Sequence, residues 1–323
     1  MGNCKNRIVI LFAVVLMILT SCDDTGDNQI DSNNSVYDFT EGNADLSILN
    51  AALIRTSLDF TLDNQGEYTL FAPNNTAFNE YFTANGYAGV DAVPITELRA
   101  LLFYHILTTE VFTNSMNNGY VKTLGKDEEI EFLDLYINAA TPILLNGGSR
   151  IIEEDFVVSN GVVHIIDTVV ELPTINSLIT ANPEYSNLNS ALVQTGLFTT
   201  LSSVDNTMNA PFTVFAPVDD AFQALVDLDP NDNLNSTADI LNLTNLTDIL
   251  LYHVIGSQRL RNDDFIDGLL LDPIAAGTEE LLINTTDGTV ITDGQMQSIN
   301  VTNTNITAVN GVIHSLDLVM RPL

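Results

Sequence analysis

Asn160-Gly161-Val162-Val163-His164-Ile165-Ile166-Asp167 returns 150 residues later as Asn310-Gly311-Val312-Ile313-His314-Ser315-Leu316-Asp317. β-Branched and apolar residues flank each Asn-Gly, over Phe156 to Val170 and Ile306 to Met320. This predicts a β-hairpin, with Asn-Gly supplying the positive-φ pair of a two-residue turn. A unit that occurs twice calls for a search on either side of it. Thr69-Leu70-Phe71-Ala72-Pro73 matches Thr213-Val214-Phe215-Ala216-Pro217 at an offset of 144, and Tyr104-His105 matches Tyr252-His253 at 148. Ser47, Leu49, Ala52, Leu53, Thr56 and Leu58 match Ser186, Leu188, Ala191, Leu192, Thr195 and Leu197 at 139. The offset only grows, so the second copy carries small insertions, where loops belong. The period is far longer than the roughly 20–50 residues of a solenoid unit. The chain is therefore expected to be a tandem pair of globular domains, 43–173 and 174–323, joined closely at Leu172-Pro173-Thr174.

Each block has a coarse local reading. Leu46 to Leu58 has helical apolar spacing, as does Glu97 to His105; Asp248 to His253 is the counterpart of the latter. Tyr68 to Phe71 is strand-like and stops at Pro73. Asn75 then resembles an N-cap for a short helix through Ala77, Phe78 and Tyr81, repeated by Asp219, Ala221, Phe222 and Leu225.

The 323 residues carry 10 Lys and Arg against 42 Asp and Glu, a net charge of −32, yet 46% are apolar. That apolar fraction supports a core and separates the chain from disordered acidic tails. A field this negative repels phosphate and excludes nucleic acid as a partner.

The N-terminus reads as a targeting segment. Lys5 and Arg7 precede an unbroken apolar run from Ile8 to Leu19, too short to span a bilayer and suited to a secretory signal. It ends in Leu19-Thr20-Ser21-Cys22, which resembles the bacterial lipobox. That resemblance implies cleavage after residue 21 and acylation of Cys22. What remains is 302 residues with eight cations against 42 acids, a net charge of −34. Two or more acyl chains hold a protein stably at a bilayer without a basic patch. Residues 22–42 read as a flexible acidic tether. The expected location is the cell envelope, lipid-anchored, at the outer membrane, on its periplasmic or surface side.

Two copies of Thr-x-Phe-Ala-Pro-x-x-x-Ala-Phe, each followed by Tyr-His and by Asn-Gly-Val-x-His-x-x-Asp-x-Val or a close variant, resemble the fasciclin (FAS1) family. The resemblance implies an α+β fold, two tandem fasciclin-like domains, each a β-sheet wedge or sandwich with packed helices. It also implies a non-catalytic adhesion or matrix-binding role toward an extracellular protein or polysaccharide. Val218 departs from the family's polar residue after the Pro, where Asn74 keeps it. In animal members, residues around Tyr-His are implicated in integrin binding, so Tyr104, His105, Tyr252 and His253 are the candidate contact residues. Read from the residues alone, the same pairs can anchor a helix end against the sheet. Phe71, Pro73, His164, Asp167, Phe215, Pro217, His314 and Asp317 are expected to be structural, the two histidines packing on an apolar strand face.

No metal or cofactor is expected, because two histidines per domain fall short of a zinc ligand set. Asp227-Leu228-Asp229-Pro230-Asn231-Asp232-Asn233 alternates oxygen ligands but fails the EF-hand pattern at its sixth and twelfth positions, Asp232 and Ala238. It reads as a solvated acidic loop. No Gly-x-Ser-x-Gly, P-loop or dinucleotide fingerprint occurs. The rival readings are an accessory polysaccharide-binding lipoprotein, a structural spacer, and a hydrolase with an unrecognised carboxylate site. The last would need a deep pocket with convergent polar groups.

Overall fold

The computed structural model describes residues 34–204, 209–228 and 234–323. The signal segment, Cys22 and most of the acidic loop at 227–233 lie outside them. The first domain runs α1 (Val36–Gly42), α2 (Ser47–Thr56), α3 (Asp59–Asp63), β1 (Tyr68–Pro73), α4 (Asn75–Asn85), α5 (Ile95–Tyr104), β2 (Ile106–Leu107), β3 (Gly119–Lys126), β4 (Phe132–Asn138), β5 (Leu144–Leu145), β6 (Ser149–Val158) and β7 (Gly161–Ile166). The second runs α6 (Ile175–Ala181), α7 (Ser186–Thr195), α8 (Leu197–Ser202), β8 (Phe212–Pro217), α9 (Asp219–Leu228), α10 (Thr237–Leu241), α11 (Leu246–Tyr252), β9 (Val254–Ile255), β10 (Leu270–Leu271), β11 (Leu281–Asn284), β12 (Val290–Thr292), β13 (Ser298–Ala308) and β14 (Gly311–Leu316).

The sheets are ordered β2-β1-β7-β6-β5-β4-β3 and β10-β11-β12-β13-β14-β8-β9, the same topology twice. In each, one parallel pair, β1 with β7 or β8 with β14, sits among antiparallel neighbours. These strands are buried on both faces, so their sequences are continuous apolar runs rather than alternating ones. Leu70, Ala72, Val163 and Ile165 face the helices, while Phe71 and Ile166 face Leu133, Leu135 and Leu145 from the far half of the sheet. The sheet thus bends over itself into a wedge, with helices closing one side. The bend falls at a bulge in β6, where Asp155 has φ 60°, and at its equivalent in β13, where Asn305 has φ 61°.

The Asn-Gly pairs act differently from the expected turn. The two-residue turn is Ser159-Asn160, and Gly161 already pairs with Tyr68 in the sheet. A Cβ at Gly161 would stand 2.1 Å from the Tyr68 carbonyl oxygen, and one at Gly311 2.1 Å from that of Phe212. Glycine is needed for close backbone approach. Asn160 is buried, and its carboxamide accepts from Val36 N (2.8 Å) and donates to Leu62 O (2.8 Å) and Asn64 O (2.6 Å). Asn310 does the same with Ile175 N, Leu201 O and Ser203 O.

Two boundaries shift from the expected positions. The tether expected over residues 22–42 does not extend through 36–42, because Val36–Gly42 is a helix with a reciprocal Ser35/Asp38 cap and with Val36 and Thr40 buried. The first domain therefore includes α1, which the polar look of this stretch concealed. The cap of α4 is Asn74, whose side chain accepts from Ala77 N, while Asn75 ties back to Ile48 N. Val218 fills the cap position of α9 and offers only its backbone carbonyl to Ala221.

The domains join through buried charge. Asp127, with its side chain fully buried, receives Arg261 at 2.8 Å and stands 3.5 Å from Arg259, with Glu129 outside them. Lys122 meets Asp134 at 2.6 Å and donates to Asn305 O, while Thr307 N donates to the same Asp134 oxygen. Burial nonetheless pushes the Asp134 carboxyl up from its ordinary range, against the pull of Lys122. Tyr120 donates to Leu178 O and packs on the second core, and Val309 packs on the first.

Asn160→Ala should lower first-domain stability by about 2–4 kcal/mol, because it strands one amide and two carbonyls; urea unfolding reads this as a lower midpoint. Gly161→Ala should be worse than Asn160→Ala. Asp127→Ala should leave the buried Arg259 without its buried partner and with only the half-exposed Glu129 to pair with, at a cost of about 3 kcal/mol. Small-angle scattering should then show a larger radius of gyration as the domains separate, whereas an unchanged profile would show the cluster to be dispensable.

Candidate functional site

Helix α5 carries Leu98, Leu101 and Leu102 on its buried face and ends where the chain turns into β2. The motif pair Tyr104-His105 falls on that seam. The four candidate contact residues are all internal: Tyr104 and Tyr252 are 0% exposed, His105 and His253 1%. The expected contact patch at these residues is corrected, because the helix end must hand its last carbonyls and side chains to the sheet.

His105 Nδ1 donates to Leu101 O (2.7 Å), and Nε2 accepts from Val170 N (3.0 Å). One neutral ring thus pins a helix terminus to the segment leaving β7. His253 repeats this with Ile249 O (2.7 Å) and Met320 N (2.9 Å). Burial pushes both imidazoles down to about 4. Tyr104 donates to Asp134 O (2.6 Å) and accepts from Asn146 Nδ2 (2.8 Å), and burial raises its phenol. Tyr252 accepts instead from Gly294 N (2.9 Å), its phenol pushed up to about 12 by burial.

The remaining motif residues close the wedge. Phe71 lies 5.7 Å from His164 ring to ring, as Phe215 does from His314. His164 Nε2 donates to Val111 O while Nδ1 accepts from Asp155 N at the bulge. His314 Nε2 donates to Leu260 O, and its Nδ1 has no partner among the described residues. Asp167 accepts from Arg150 N and Arg150 Nε, and Asp317 from Asn300 N and Asn300 Nδ2, tying the ends of β7 and β14 to their neighbours. Pro73 and Pro217 end their strands in register with Ile166 and Leu316. Among the described residues, no group of three or more His, Cys, Asp or Glu is placed to hold a metal. None of their helices is long and apolar enough to cross a membrane.

The accessible feature nearest the motif is the outer face of α5. Ile95, Arg99 and Phe103 with Leu124, Lys126 and Phe132 line an apolar groove of about 550 Å³. Ile95 is 47% exposed and Phe132 40%, and Lys126 Nζ stands 4.5 Å over the Phe132 ring. The matching positions in the second copy, Thr247 for Arg99 and Asp248 for Ala100, give that helix a different outer face.

The motif reading missed this groove and the Asp127 cluster. The groove could have been flagged by Ile95, Arg99 and Phe103, spaced four residues apart on the helix flank adjoining Leu98 and Leu102. Arg259 and Arg261, two cations two residues apart in an acid-rich chain, were the available signal for the cluster.

The buried histidines predict acid sensitivity. Their folded pKa lies below the unfolded value of about 6.5, so the unfolded chain binds more protons below that pH. Their contribution is complete above pH 6.5 and is lost as pH falls through about 4. The loss is on the order of 3 kcal/mol per histidine at the low end. Calorimetric melts should show Tm falling across this window, with a shallower fall in His253→Gln.

A family model described as the fasciclin domain matches residues 44–173 and again 183–322. The transforming growth factor-beta-induced protein ig-h3 of Oryctolagus cuniculus is 27% identical over 81% of this chain and 35% of its own length. Human periostin is 28% identical over 72% of this chain and 26% of its own length. The chain thus spans about a third or less of these relatives. A fasciclin-like arabinogalactan protein of Arthroderma benhamiae is 27% identical over 81% of this chain and 60% of its own length. A solved FAS1 domain pair from the insect cell adhesion molecule fasciclin I aligns with a TM-score of 0.47 and 21% identity, over 84% of this chain and 92% of that one. With both halves matched and the same seven-stranded wedge built twice, the chain belongs to the fasciclin domain family as a tandem pair.

Proposed function

We propose that this chain is a non-catalytic adhesion module of the cell envelope, held at the outer membrane by acyl chains on Cys22. The observation that carries the reading is where the polar motif residues direct their hydrogen bonds. His105, His164, His253 and Tyr104 are all engaged inside the fold. This leaves recognition to outer surfaces, first among them the groove on α5. The partner is an extracellular protein or a polysaccharide. Membership of the fasciclin domain family supports the class of role. The buried ion pairs at the junction also suit a spacer, the alternative that the experiment separates.

The mature chain (22–323) carrying Cys22→Ala is screened on matrix-protein and glycan arrays beside Ile95→Asp. Binding that Ile95→Asp weakens by about tenfold or more supports adhesion through α5. Binding to neither array would overturn adhesion in favour of the spacer. Separately, Cys22→Ala should move the protein from the membrane to the soluble fraction of lysed cells; equal membrane retention would sink the lipid anchor.

A further inference from the structure

The cations of this chain are few enough to trace one by one. Eight lie beyond residue 21: Arg55, Arg99, Lys122, Lys126, Arg150, Arg259, Arg261 and Arg321. Five are engaged with acids: Arg55 with Asp91, Lys122 with Asp134, Arg150 with Asp167, and Arg259 and Arg261 with Asp127 and Glu129. Among the described residues, Arg99, Lys126 and Arg321 form no ion pair. Two of those three line the same groove, and no acid lines it with them.

Everything else between the two cations is apolar. Phe103 and Leu124 form the base, with Ile95 and Phe132 at the edges. Arg99 Nε and one terminal nitrogen are held by Thr56 O, which fixes the guanidinium and leaves its other terminal nitrogen without a described partner. Lys126 is exposed and held only over the Phe132 ring. The volume of about 550 Å³ lies within the roughly 300–1,000 Å³ of small-ligand sites, as does an apolar lining with few polar groups. A surface at −32 repels anions almost everywhere, so two uncancelled cations beside an apolar trough are a selective exception.

We infer that the α5 groove binds a single-chain anionic amphiphile: an alkyl chain along Ile95, Phe103, Leu124 and Phe132, with its carboxylate at Arg99 and Lys126. The ligand is free, not a bilayer surface, because a surface of anionic headgroups would meet the acidic remainder of the protein. The inference rests on the reading of the outer α5 face as a recognition surface and names the chemistry that this face selects. In the second domain Thr247 stands in place of Arg99 and Asp248 in place of Ala100, so that helix lacks the guanidinium and gains an acid, and the second domain does not share the site.

The test titrates the mature chain (22–323, Cys22→Ala) with sodium dodecanoate below its micelle concentration, by calorimetry. Saturable binding at one site is expected, with dodecyltrimethylammonium, of equal chain length and opposite charge, bound at least tenfold more weakly. Lys126→Gln should weaken dodecanoate by about tenfold, and Ile95→Asp should abolish saturation. Thermal melts confirm that both exposed-site variants remain folded. Equal binding of the two amphiphiles, or dodecanoate binding unchanged in both variants, would overturn the inference. So would saturable binding of an acidic apolar peptide with no binding of dodecanoate, which would reassign the groove to a protein partner. If Ile95→Asp loses array binding while the wild type ignores dodecanoate, the inference fails and the adhesion reading stands. If dodecanoate binds as expected and no array ligand does, adhesion fails and the ligand class stands.

Discussion

One buried carboxamide in each domain holds together parts of the chain that are far apart in sequence. Asn160 fixes the start of α1, the end of α3 and the loop after it from the tip of a hairpin about 100 residues downstream. The adjoining glycine lets β7 lie against β1 with no side chain between the backbones. The parallel pair, one strand in from the sheet edge, depends on both residues together. Once that pair forms, its two apolar faces require a helical layer on one side and a folded-over sheet on the other. At the opposite end, His105 and His253 fasten the helix termini to the same strands.

The polar residues that recur between the copies are therefore the ones that build the domain. Their hydrogen bonds are made internally, and their burial shifts their ionisation accordingly. The outer faces are released from this duty, and there the copies part company. The first has Arg99 and Ala100 where the second has Thr247 and Asp248. Duplication kept the framework and let the exterior of α5 and α11 diverge, which is how one fold can carry unequal surfaces.

Most of the fold was legible in the sequence because it was written twice. Strands, the major helices and the domain pair followed from matched blocks and apolar spacing. Three things were not legible. Helix α1 is only seven residues long and follows a polar stretch, and it is held by Asn160 and by the packing of Val36, Tyr37 and Phe39 more than by its own propensity. The Asn-Gly pair matches a turn signature in composition, yet the register places Gly161 one step inside the strand. The Asp127 cluster joins residues more than 130 positions apart, and no local pattern announces such a pairing. The exposure of the α5 groove likewise depends on β3 and the start of β4 arriving beside the helix, which is a property of topology alone.

The buried charge at the junction also determines how the pair responds to force. Arg259 and Arg261 approach Asp127 from the second domain, while Lys122 and Tyr120 reach from the first into the second. Any force that parts the domains would have to break contacts contributed from both sides of the junction. Because Asp127, Arg259 and Arg261 are largely shielded from solvent, dissolved salt weakens their pairing little. Tension that parts the two domains would therefore load ion pairs that salt screens little.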